Sequence, residues 1–129
     1  MTAIGATQPR RERGGIVAVE MAIIFPLILF FVLGLMEFGR AIWAQGALDY
    51  AVQAAARCAA IQASSCTTTA LTQSYAVSQS PGLAVSGSNF AVLTQACGQQ
   101  VTATLPYQFA VPWLFPYDLA LTASACFPI

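Results

Sequence analysis

The sequence predicts an α+β protein in which a long N-terminal helix spans a membrane and precedes a small external domain. An apolar run from residue 16 to 36 contains one ionisable side chain, and a helical pattern continues from it to about residue 63. Segments rich in Val, Thr and aromatic residues follow. We therefore expect the external domain, residues 64–129, to hold a short second helix and an antiparallel sheet of about three strands.

The run from Ile16 to Met36 is long enough to cross a bilayer as a helix. Its 21 residues would span roughly 31 Å at the helical rise, about the thickness of the hydrocarbon core. The whole chain is 57% hydrophobic and only 8% charged. This composition favours a small membrane-anchored protein over a soluble enzyme.

The arginines indicate which end of the chain stays in the cytoplasm. Arg10, Arg11 and Arg13 precede the apolar run, whereas the segment after it carries Glu37 with Arg40. Arginine-rich flanks remain on the cytoplasmic side, so we expect residues 1–15 there and the external domain across the membrane. The apolar run is longer than that of a secretory signal and lacks a small-residue cleavage site after it, so we expect the span to be kept.

Glu20 is the one ionisable side chain inside the apolar run. An acid at the centre of a membrane helix costs about 2.5–3.5 kcal/mol on insertion scales, and less near the interface. Two interpretations follow: Glu20 pairs with a partner group, or it is an interfacial residue whose side chain reaches towards water.

One pattern of residues resembles a known family. Gly15 is followed at the fifth residue by Glu20, then by Pro26, by Glu37-Phe38-Gly39-Arg40-Ala41 and by an alanine-rich helix through residues 54–60. The pattern resembles the TadE-like pseudopilins, or minor pilins, of the tight-adherence (Tad/Flp, type IVc) pilus, over roughly residues 10–60. The resemblance implies a pilin-like fold and cleavage after Gly15 by a prepilin peptidase, so that the mature chain begins at Ile16.

The resemblance also implies a role and partners. The role is assembly of a Tad-type pilus involved in surface adhesion, and the partners are the membrane, the prepilin peptidase, other pilins and Tad assembly proteins. It implies a single-pass protein of the bacterial inner membrane with a periplasmic C-terminal domain, and leaves open whether the protein enters the filament. Cleavage would create an ammonium at Ile16 that Glu20 of a neighbouring subunit can pair with. The alternative is an uncleaved single-pass anchor whose external domain binds an envelope partner.

Beyond the span, the helical pattern carries a seam of small apolar residues beside a polar stripe. The seam packs either on the protein's own sheet, which we favour, or on neighbouring helices in a filament. Trp43 is assigned to the aromatic belt at the outer interface. The seam comprises Ala41, Leu48, Val52, Ala55 and Ala59, and the stripe comprises Gln45, Asp49, Gln53 and Arg57.

The remaining elements follow from turn residues and alternation. We expect a helix within Thr67–Ser80, a turn at Ser80-Pro81-Gly82, a hairpin formed by Phe90–Ala96 and Gln100–Phe109, and a third strand over Leu119–Phe127. Between the last two strands lies an aromatic loop, Val111–Tyr117, which either covers the core or forms a contact patch.

The four cysteines all lie beyond the span, which fits disulfides in an oxidising envelope compartment. They are Cys58, Cys66, Cys97 and Cys126. Their spacing lacks paired C-x-x-C motifs and the chain has no His, so we expect no metal site. Of three possible pairings we favour Cys58 with Cys66 and Cys97 with Cys126, while the other pairings and four free thiols stay open.

Residues for catalysis are scarce. The absence of His removes Ser-His and Cys-His pairs, and no glycine-rich phosphate loop is present. Outside the apolar run, the acids Glu37, Asp49 and Asp118 are scattered. We therefore expect no enzyme activity, cofactor or small-molecule substrate, and a net charge of zero argues against nucleic-acid binding. Glu37 and Arg40, three residues apart, are expected to form a local ion pair.

Overall fold

The structure, a computed structural model, describes residues 12–110, 112, 117 and 119–129. It has the predicted α+β architecture, and most of the aromatic loop lies outside the described residues. The elements in chain order are α1 (Glu12–Ala60), α2 (Thr69–Ser78), a 3₁₀ turn (Gly87–Asn89), β1 (Phe90–Gln95), β2 (Gly98–Tyr107) and β3 (Leu119–Phe127).

The chain divides into two compact units, of which the first ends at Met36. In this unit the large apolar side chains of α1 are exposed, from 39% at Ile24 to 71% at Ile16. The helix is assigned without a break through Pro26. Within the described part of the chain, α1 is the one helix long and apolar enough to cross a membrane, which supports a single-pass membrane protein.

The second unit, Glu37–Ile129, contains the core. Its sheet is antiparallel with the strand order β1-β2-β3. Val101 and Ala103 of β2 are buried while Thr104 is exposed, so one sheet face is covered, as the alternation predicts. On α1, Leu48 and Val52 belong to the same buried cluster. The small apolar seam thus packs within its own unit, which is the favoured interpretation.

The ends of the elements differ slightly from the predicted ones. Helix α1 ends at Ala60 rather than near Ala63, because Gln62 adopts a positive φ of 48° that closes the helix. Strand β2 begins at Gly98, whose φ of 121° lets it pair with Gln95 across a two-residue turn.

Helix side chains reach both edge strands of the sheet. The Gln45 side-chain amide on α1 donates to the Thr122 carbonyl of β3 at 2.9 Å. On the opposite edge, the Gln73 amide on α2 donates to the Phe90 carbonyl of β1 at 2.8 Å. Each edge strand therefore has one of its backbone acceptors occupied by a glutamine.

Candidate functional site

The predicted processing segment lies near the start of α1. Ile16 and Glu20 are four residues apart in the helix, so they share one face. Both are exposed, and Glu20 makes no hydrogen bond or ion pair with any described residue. The structure therefore leaves the Glu20 carboxylate on the surface of the apolar helix without a partner among those residues.

Gly15 is not required by the packing of this chain. A Cβ built on it meets nothing within 4 Å. Glycine in a helix costs about 1 kcal/mol relative to alanine, so Gly14 and Gly15 weaken the first turns of α1. The helix next to the Gly15–Ile16 bond is consequently weaker than it would be with alanine at these positions, and the described residues leave room for a larger side chain at Gly15.

A second cluster surrounds the carboxylate of Glu37, one residue after the apolar run. Its Oε1 accepts hydrogen bonds from the Tyr107 hydroxyl at 3.0 Å and the Ala110 backbone N–H at 3.2 Å. Its Oε2 pairs with Nη1 of Arg40 at 3.1 Å, as predicted. The Glu37 side chain is only 12% exposed. One carboxylate thus ties α1 to the end of β2 and the residues that follow.

Tyr107 responds to this environment. Its pKa is raised above 10.0, first by burial, then by the hydrogen bond to Glu37 and by the charge of that carboxylate, against a smaller opposing effect of Arg40. Its ring meets Phe109 edge to face, with 5.2 Å between centroids. The contact between Glu37 and Tyr107 gave no signal in the sequence, because the two residues are 70 positions apart.

A cleft of about 640 Å³ lies beside the Glu37 cluster. Trp43, predicted for the aromatic belt, is 55% exposed at its wall. The Trp43 ring lies 3.0 Å from the point where a Cβ on Gly82 would stand, and Gly82 has a φ of 79°. Glycine is therefore needed in this turn for two reasons. Further lining residues are Arg40, Leu105, Tyr107 and Phe109.

The four cysteines form two disulfides, the pairing favoured from the sequence. Cys58 is bonded to Cys66 with 5.8 Å between Cα atoms, and Cys97 to Cys126 with 6.2 Å. The first closes the end of α1 onto the segment before α2, and the second ties the β1–β2 turn to the end of β3. Among the described residues, no group of three His, Cys, Asp or Glu side chains could hold a metal ion.

Comparison with known proteins supports the resemblance over α1. The family model described as TadE-like protein matches residues 15–57. The matched stretch begins at Gly15 and includes both Glu20 and Glu37. No curated protein and no solved structure matches the chain. The match lies within α1 and does not extend to α2 or the strands.

Proposed function

We propose that this chain, which matches the TadE-like family along its membrane helix, is a minor pseudopilin required for assembly of a Tad-type pilus involved in surface adhesion. A prepilin peptidase would cut between Gly15 and Ile16. The observation that carries the proposal is the family match, which starts at Gly15 and follows α1. The role is structural rather than catalytic, in the bacterial inner membrane, with residues 1–15 cytoplasmic and the domain periplasmic.

The exposure of Glu20 supports its proposed role in assembly. Cleavage would give Ile16 an α-ammonium, and Glu20 offers a carboxylate that no described residue uses. Two charges in an apolar medium are each costly alone and stabilise one another when paired. Pairing between neighbouring subunits therefore favours association of processed chains.

The first experiment measures processing. Intact-mass analysis of the membrane fraction should show the loss of Met1–Gly15 in cells that make the peptidase. Gly15→Leu should abolish this loss, whereas Gly34→Leu should not, because Gly34 also sits on α1 with no atom within 4 Å of a built Cβ but lies far from the cut. An intact N-terminus in the unaltered protein would contradict the proposal and favour the uncleaved anchor. Normal processing of Gly15→Leu would exclude the assigned site.

The second experiment separates assembly from processing. Glu20→Gln should leave insertion and cleavage intact and reduce pilus number, because the ammonium at Ile16 loses its charged partner. Glu20→Asp keeps the charge and should restore part of the assembly. Full piliation by normally cleaved Glu20→Gln protein would remove the role assigned to this carboxylate.

A further inference from the structure

Arg40 lies within reach of the lipid headgroups. The apolar run ends at Met36, and α1 rises about 6 Å over the four residues from there to Arg40. Apolar side chains remain exposed beyond it, with Phe38 at 70% and Ile42 at 63%. The headgroup region on each side of the hydrocarbon core is about 5–8 Å thick. Arg40, which lines the cleft, therefore follows the span closely enough along the chain for a lipid headgroup to reach it.

The guanidinium of Arg40 has N–H donors that bind no described residue. It carries five N–H donors in total, and its contacts with described residues involve Nη1 alone, which binds Glu37. The side chain is 56% exposed. Glu37, in contrast, is 12% exposed and already accepts from three groups. The cleft thus offers donors of Arg40 for a phosphate, whereas the neighbouring carboxylate of Glu37 is already occupied.

The cleft also has aromatic rings on its wall, and the Arg40–Glu37 pair beside it carries no net charge. Glu37 balances the charge of Arg40, so a ligand with net negative charge gains little there. Trp43 and Tyr107 line the same cleft, and aromatic faces attract ammonium groups. We propose that this cleft binds the headgroup of a zwitterionic phospholipid, with its phosphate on the unused donors of Arg40 and its ammonium against Trp43. The proposal needs the membrane span but not the pilus role.

Native mass spectrometry of the full chain, released from nanodiscs, tests the proposal. Nanodiscs of equal parts phosphatidylethanolamine and phosphatidylglycerol present the same phosphate with and without an ammonium. We expect the unaltered protein to retain one phosphatidylethanolamine above the non-specific background. Equal or greater retention of phosphatidylglycerol would overturn the proposal without the need for any variant.

Variants then locate the site. Arg40→Gln should lower retention by about tenfold, as expected for the loss of a hydrogen bond to a charged group, and Trp43→Leu should remove the preference between the two lipids. Arg57→Gln is the matched control, because Arg57 is an exposed arginine of α1 that does not line this cleft. Near-ultraviolet circular dichroism verifies folding. Unchanged retention in folded Arg40→Gln, or an equal loss in Arg57→Gln, would contradict the assignment.

Discussion

The carboxylate of Glu37 gives a direct test of the contact between α1 and the end of β2. In Glu37→Gln, an amide oxygen can still accept from Tyr107 and Ala110, but without a negative charge. The amide NH₂ would face Nη1 of Arg40, where Oε2 now forms the ion pair. The substitution therefore keeps the shape of the site and removes its electrostatic complementarity.

The size of the effect follows from these contacts. Hydrogen bonds to charged groups contribute about 1.5–3 kcal/mol each and neutral ones about 1 kcal/mol. The ion pair adds a few tenths at most, since the Arg40 side chain is 56% exposed. We expect Glu37→Gln to lower the free energy of unfolding of the second unit by about 1.5 kcal/mol. For a domain of this size, that loss corresponds to a fall in Tm of about 6–12 °C.

The assay is thermal unfolding of the full chain in micelles, followed by near-ultraviolet circular dichroism. Asp49→Asn is the matched control, because Asp49 accepts from Gln45 alone among the described residues, at 3.3 Å, and should change stability by less than about 0.5 kcal/mol. Tyr107→Phe removes the other partner and keeps a ring against Phe109. The double mutant with Glu37→Gln should show a coupling of about 1 kcal/mol. Additive effects would refute the contact as a source of stability.

Three further predictions use the same domain. Gly98→Ala should lower the free energy of unfolding by about 3 kcal/mol or more, because Gly98 has a φ of 121° and the new Cβ would overlap the Phe127 carbonyl. Gly46→Ala has open space around the new Cβ and should raise the free energy of unfolding by up to about 1 kcal/mol in the same assay. Because the pKa of Tyr107 is raised in the folded protein, the protonated Tyr107 hydroxyl contributes to stability fully below pH 10.0, and this contribution is lost as the pH rises through the raised pKa. A titration followed by near-ultraviolet absorbance should show that Glu37→Gln lowers the pKa of Tyr107. Protein from the envelope should resist alkylation without reduction, each disulfide contributing about 2–4 kcal/mol, and alkylation of all four cysteines would contradict an oxidising location.

The sequence predicts elements well where local pattern decides them. Strand β3 has the predicted bounds, Leu119–Phe127, because its alternation is uninterrupted. The turn of the hairpin is shorter than predicted. The prediction places Gly98 in the loop, but its positive φ lets it pair with Gln95 as the first residue of β2. The apolar run forms a helix long enough to cross a membrane, as predicted, and the two favoured disulfides are present.

Contacts that depend on distant residues are beyond local pattern. The helical spacing reveals an ion pair between Glu37 and Arg40, but it cannot reveal Tyr107, which belongs to another element. The small apolar seam of α1 is a second example, because helical periodicity identifies an apolar face but not the element that packs against it. The cleft likewise depends on a turn at Gly82 that approaches Trp43 in space rather than in sequence.

The glutamines at the two edge strands bear on how many copies can share one membrane. Proteins confined to a bilayer collide more often than the same number of molecules in solution. An edge strand with unpaired N–H and C=O groups can pair with a strand of a neighbouring copy and extend the sheet. Gln45 and Gln73 occupy acceptors on opposite edges, and β1 is only six residues long. Each edge strand therefore offers one backbone acceptor fewer to a neighbouring copy, which disfavours extension of the sheet at Thr122 and at Phe90.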